Sequence, residues 1–158
     1  MMPAADTPRS TGFTLDEAAH TIRFVRDFAA SPSQVFAAWT MPEHLVHWWD
    51  STGKPLTGCE VDLRIGGTFT FTVQDYPEMP FVGVYREIVP GELLRFDALG
   101  AAGSVLLARK ADGGTAMTVE IVAPNKALFD QFVQMGVQVG TAGTLDNLVA
   151  YLGRTATT

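Results

Sequence analysis

Between Cys59 and Ala123 the chain runs through short stretches in which apolar and polar residues alternate, each closed by a turn signal and none long enough to make a helix. Cys59, Val61, Leu63 and Ile65 alternate with Glu60, Asp62 and Arg64; Gly66-Gly67 then turns the chain, and Phe69, Phe71 and Val73 alternate with Thr68, Thr70 and Thr72. This spacing predicts a hairpin, since a period of two puts every second side chain on one face. Further strands are expected over Phe81 to Val89, Leu93 to Leu99, Ser104 to Lys110 and Thr115 to Ala123, separated by Pro90-Gly91, Gly100 to Gly103 and Asp112 to Gly114. Strands joined by turns, with no crossover helix, form an antiparallel meander that buries one face and wets much of the other.

Helical segments flank this sheet. Thr21 to Ala30 reads as a first strand with Ile22, Phe24 and Phe28 on one side. Ser31 followed by Pro32 is a helix start, and Val35, Phe36 and Trp39 recur at helical spacing to Thr40. Pro42 restarts a second short helix that leads to Trp48-Trp49, and Asp50 to Gly53 reads as a turn. From Asn125 to Tyr151 there is no proline and the chain reads as helix, with charges only at Lys126, Asp130 and Asp146. Its apolar stripe changes sides: Phe129, Phe132, Val133, Gly136 and Val139 share one face, and Ala142, Leu145, Leu148, Val149 and Leu152 nearly the opposite one. Either the helix kinks near Gly140 to Gly143, or it is continuous and Gln134, Gln138 and Thr141 point inward. The expected class is α+β, with residues 1–18 a flexible lead-in and residues 19–155 a single domain.

Composition limits what such a domain does. With 158 residues, 47% hydrophobic and 18% charged, the chain has enough apolar material for one large core and is a poor fit to disorder or coiled coil. A net charge of −6 without any basic run argues against nucleic acid and against anionic membrane surfaces. No apolar stretch is long enough to span a bilayer, so no membrane insertion is expected. Cys59 is the single cysteine, which removes disulfides and cysteine-based zinc sites and suits a reducing cytoplasm. A homodimer and a monomer fit the sequence equally.

The run Arg26 to Thr40, then Pro42-Glu43-His44-Leu45 and Trp48-Trp49, resembles the opening signature of the AHSA1-like (activator of Hsp90 ATPase homologue 1-like) branch of the START/Bet v 1-like, or SRPBCC, superfamily. Asp62 to Gly67, Gly83 to Pro90 and the spacing of Gly140, Leu145 and Leu148 extend the resemblance over about residues 21 to 153. It implies a helix-grip fold: a curved antiparallel β-sheet wrapped around a long C-terminal helix, with two short helices after strand 1 and a hydrophobic cavity between sheet and helix. Two positions depart from the pattern common in that family. Asp50-Ser51 stands where Gly-Pro is common after the tryptophans, and Thr141 where Trp is common. Both departures fall where the resemblance places cavity walls.

The candidate binding residues are Trp39, Trp48, Phe69, Phe71, Phe96, Met117, Phe129, Phe132 and Met135 for an apolar lining, with Tyr85, Gln138 and Thr141 as polar groups that orient a ligand. Gly136, Gly140 and Gly143 would leave room on one helix face. The same side chains would also make an ordinary packed core. His44 and His47, three apart, share a helix face and with Asp50 form a weak metal candidate; partly exposed helix residues are the simpler reading, and no metal or cofactor is expected. Asp62 and Arg64 pair with each other or with Arg86 and Glu87 unless Asp62 is a buried base. Cys59 lacks a neighbouring base, and no catalytic residue is assigned. The expected role is binding of a small hydrophobic or amphipathic ligand; the alternatives are a cyclase- or hydrolase-type enzyme using the same cavity, or a chaperone-associated interaction module.

Overall fold

The computed structural model describes residues 12–156. Of the expected lead-in, residues 1–11 lie outside the described residues, and the rest includes a strand, β1 (Thr14–Asp16), that no sequence pattern announced. It pairs antiparallel with β2 (Thr21–Phe28) through Leu15 opposite Ile22. The meander follows as β3 (Gly58–Val61), β4 (Thr68–Thr72), β5 (Phe81–Val89), β6 (Leu93–Ala98), β7 (Ala101–Arg109) and β8 (Thr115–Val122). All pairings are antiparallel, in the order β1-β2-β8-β7-β6-β5-β4-β3, so β2 closes the meander by pairing with β8. A register shift between Tyr85 and Glu87 bends β5 against β6, the usual work of a β-bulge in a curved sheet.

The hairpin after Cys59 is shorter than its alternation suggests. Pairing of β3 with β4 ends at Val61 opposite Phe69, and the chain then folds back on itself: Arg64 N–H donates to Asp62 O (2.9 Å) and Gly67 N–H to Arg64 O (2.8 Å). Gly66 and Gly67 then exchange hydrogen bonds with Tyr85 of β5. A Cβ on Gly67 would sit 2.1 Å from the Asp62 carbonyl oxygen, so the loop closes only around glycine. Leu63 and Ile65, expected on the apolar face, are therefore exposed, Ile65 at 66%. The expected turn from Gly100 to Gly103 is also tighter, since β7 begins at Ala101 and leaves Leu99 and Gly100 to turn the chain with positive φ, 55° and 82°.

Two short helices, α1 (Pro32–Thr40) and α2 (Pro42–Leu45), occupy the expected positions. Ser31 and Gln34 form a reciprocal capping box that starts α1, with Ser31 Oγ accepting from Gln34 N–H (3.3 Å) and Gln34 Oε1 from Ser31 N–H (2.8 Å). The C-terminal helical region is two helices, α3 (Lys126–Met135) and α4 (Val137–Ala156). The break comes at Gly136, whose φ of 78° is left-handed and whose N–H reaches back to Phe132 and Val133 carbonyls. Neither sequence alternative put it there: α4 runs without interruption through Gly140 to Gly143, and Gln134 is exposed while Gln138 is buried.

The break explains the stripe that changed sides. Phe129 and Phe132 belong to one helix, and Ala142, Leu145, Leu148 and Leu152 to another that lies along the concave face of the sheet. Arg26 on β2 ties that helix down, with Nε donating to Asp146 Oδ1 (2.9 Å) and Nη2 to Ala142 O (3.3 Å). The core between them is apolar, centred on Ile22, Phe24, Val35, Met117, Leu145 and Leu148. No helix among the described residues is long and apolar enough to cross a membrane. The architecture is α+β in the helix-grip arrangement, a curved antiparallel sheet around a long C-terminal helix.

Candidate functional site

The tryptophans are placed by α1 and α2. Once Ser31 fixes the start of α1, Trp39 turns inward and its indole N–H points to Met117 Sδ on β8 (3.3 Å). Trp48 lies beneath it, N–H to Ala38 O at 3.1 Å and ring centroids 5.0 Å apart in an edge-to-face pair. Trp49 packs edge to face against both, 6.2 Å from Trp39 and 5.6 Å from Trp48, and reaches on to Phe71 (4.9 Å) and Phe81 (5.2 Å). Two polar groups of α4 hold the backbone at this point: Thr144 Oγ1 donates to Trp49 O (3.2 Å) and Asn147 Nδ2 to Asp50 O (3.0 Å).

On the sheet, aromatic rings lie over glycines of the facing strand. Phe69 covers Gly83 and Phe96 covers Gly103, where a Cβ would come within 2.2 and 2.5 Å of the rings. The two rings meet edge to face, 5.5 Å apart, and a cavity of about 400 Å³ opens between Phe96 and α4. Its walls are Trp39 and Trp49, Phe81 and Phe96, Ala101 to Gly103, Val119 to Ile121, Phe132, and the inward face of α4 from Val137 through Gly140, Thr141 and Thr144 to Leu145. Tyr76 and Leu99 also border it and are 61% and 63% exposed, which locates the mouth between the β4–β5 loop and the β6–β7 turn. A Cβ at Gly140 would meet no atom within 4 Å, so this glycine faces empty space.

The sequence-predicted binding residues separate into four groups. Trp39, Phe96, Phe132 and Thr141 border the cavity. Trp48, Phe69, Phe71, Tyr85, Met117 and Phe129 are buried in the core behind it; Phe69, Phe71 and Tyr85 surround only a gap of about 10 Å³, on the scale of one water. Gln138 is buried at the start of α4, with Nε2 donating to Val133 O (3.2 Å) across the helix break and Oε1 without a partner. Met135, expected on the apolar wall, is instead 66% exposed, because it is the last residue of α3 and lies off the side that buries Phe129 and Phe132.

Trp49, Phe81 and the small residues Ala98 and Ala101 to Gly103 border the cavity without having been expected there. Adjacent tryptophans cannot be ranked by spacing on a two-turn segment, whereas the small residues of β7 were readable as space opposite large rings. The two departures from the family pattern meet at this place, since Asp50, Ser51 and Thr141 all border the cavity.

The remaining candidates have structural partners. His44 Nδ1 and Tyr151 Oη are hydrogen-bonded at 2.6 Å, His47 stacks on the same ring at 5.6 Å, and Asp50 lies apart in the cavity wall. Among the described residues no group of three or more His, Cys, Asp and Glu side chains is placed to hold a metal. Arg64 Nε donates to both Asp62 carboxylate oxygens (3.0 and 2.9 Å) on an exposed loop, while Arg86 pairs with Asp97 and Arg95 faces Glu87. Glu43 and His47 are exposed. Burial pushes the Cys59 thiol up to about 11, so at neutral pH it is a protonated thiol and a poor nucleophile.

Solved structures share this architecture. A protein from Nitrosomonas europaea superposes with a TM-score of 0.77 at 22% identity over 87% of this chain and 97% of that one. A Mycobacterium smegmatis protein gives 0.75 at 20% identity over 90% and 97%. The AHSA1-like protein from Aeromonas hydrophila gives 0.70 at 25% identity over 86% and 94%. No protein of curated function matches the sequence. The family model described as activator of Hsp90 ATPase homolog 1-like protein matches residues 29–153, from the end of β2 to the last turns of α4, and the chain belongs to that family.

Proposed function

We propose that this chain binds a small apolar or amphipathic molecule in the cavity between sheet and α4. The observation that carries the reading is a space of about 400 Å³ walled by aromatic rings and small residues at the centre of the fold, in the size range of pockets that enclose small ligands. The fold is consistent with a ligand-binding or an interaction module. Affinity would come from apolar burial, and orientation from Thr141, Thr144 and the Asp50 to Thr52 turn. A single free cysteine, Cys59, suits a cytoplasmic setting, which belongs to the same proposal.

The reading is tested by native mass spectrometry against a library of aromatic and lipid molecules, with Trp39 and Trp49 emission as a second readout. Adducts that disappear in Thr141→Trp, a substitution that places a large ring in the cavity, are the expected outcome. A library that leaves no adduct and no change in emission would sink it.

A further inference from the structure

We infer that the cavity selects a cationic amphiphile, a molecule with an apolar body and a protonated amine, and that Asp50 receives the amine; this rests on the ligand-binding reading above. The charges around the space point to that class. Three acidic residues border it, Asp50, Asp75 and Glu120, and among the described residues no Lys, Arg or His does. Asp75 is matched by Lys54 at 2.7 Å and Glu120 by Arg23 at 2.7 Å.

Asp50 has no such partner. Its residue is 6% exposed, Oδ1 accepts from Thr52 N–H (2.9 Å) and Thr52 Oγ1 (2.8 Å), and Oδ2 is buried with nothing bonded to it. The nearby donors are engaged elsewhere: Asn147 bonds the Asp50 carbonyl, and the Lys54 ammonium, though it feels the Asp50 charge, is held by Asp75. A buried carboxylate oxygen without a donor is costly, and the space that Asp50 borders is the cavity. Oδ2 is closed off from the cavity as it stands, so an ammonium arriving there would complete it with a charge-assisted hydrogen bond once the carboxylate turns toward the space that Asp50 borders, while the rings of Trp39, Trp49 and Phe81 suit the same charge. A carboxylate or phosphate ligand would meet an unmatched negative group and no positive one.

The test is isothermal titration of the full chain at neutral pH with three probes of one skeleton: 1-naphthylmethylamine, 1-naphthylmethanol and 1-naphthoic acid. The amine is expected to bind about tenfold or more tightly than the alcohol, with the acid weakest. Asp50→Asn, which keeps the side-chain shape and an oxygen for Thr52, should bring the amine to the level of the alcohol; its thermal unfolding reports whether the fold is kept. The wild-type ranking needs no variant. Equal binding of amine and alcohol to the wild type, or an amine preference that survives in Asp50→Asn, overturns the inference while the ligand-binding reading stands. Failure of all three probes to bind overturns both.

Discussion

Gly83 and Gly103 have no side chain because an aromatic ring takes the place one would need. A Cβ at Gly103 would lie 2.5 Å from the half-buried Phe96 ring, which borders the cavity and can swing into it. At Gly83 the clash is with Phe69, a fully packed ring, at 2.2 Å, and with the Asp97 carbonyl at 2.9 Å. Gly103→Ala should therefore cost about 1 kcal/mol and weaken ligand binding, and Gly83→Ala about 3 kcal/mol, the two ends of the overpacking range. Urea denaturation of both variants decides it, and equal costs would mean that ring freedom does not matter. At this scale the alternation Phe69, Phe71 and the pairing of Asp62 with Arg64 were legible in the sequence. Which of two adjacent tryptophans borders a cavity was not, since Trp48 and Trp49 differ only in the hydrogen bonds their neighbours offer.

At the scale of elements, two glycines four residues apart, Gly136 and Gly140, have opposite roles. Gly136 has a φ of 78° and ends α3, whereas Gly140 is in regular helix with open space around it. Gly136→Ala should destabilise by about 1–2 kcal/mol, the cost of a left-handed alanine, and Gly140→Ala should stabilise by about 0.5–1 kcal/mol by restricting the unfolded chain. Thermal unfolding of the pair checks both signs, and a stabilised Gly136→Ala would contradict the helix break. The two short helices and strands β5, β6 and β8 are close to what alternation and capping predict, because local signals alone specify them. The break at Gly136 was hidden because an αL glycine and a helical glycine are the same letter, and the changed side of the stripe was its only trace. Strand β1 was hidden for another reason: three residues cannot show a period, and Thr14–Asp16 is held by β2.

At the scale of the whole molecule, burying most of the apolar residues also buries groups that titrate only in alkali. Cys59 is raised by burial from 9.0 to about 11, and Tyr85 is raised as well, chiefly by burial and then by the Cys59 charge. In both cases the folded chain disfavours the anion, so the unfolded chain gives up its proton first. The linkage sign follows: the stability these groups contribute is complete below pH 9.0, falls as the unfolded thiol ionises, and for Cys59 is gone above about 11. The folded protein should therefore lose stability between those values. Cys59→Ala removes one of the two groups and should flatten part of the fall while changing little at neutral pH. Urea midpoints measured at pH 7, 9 and 10.5 for both proteins test this, and parallel curves would show that Cys59 is free to ionise in the folded state. Thiol alkylation at pH 8 provides an independent reading, expected to be much slower in the native protein than in urea, because the sheet that shapes the cavity also shields the sulfur beside β4.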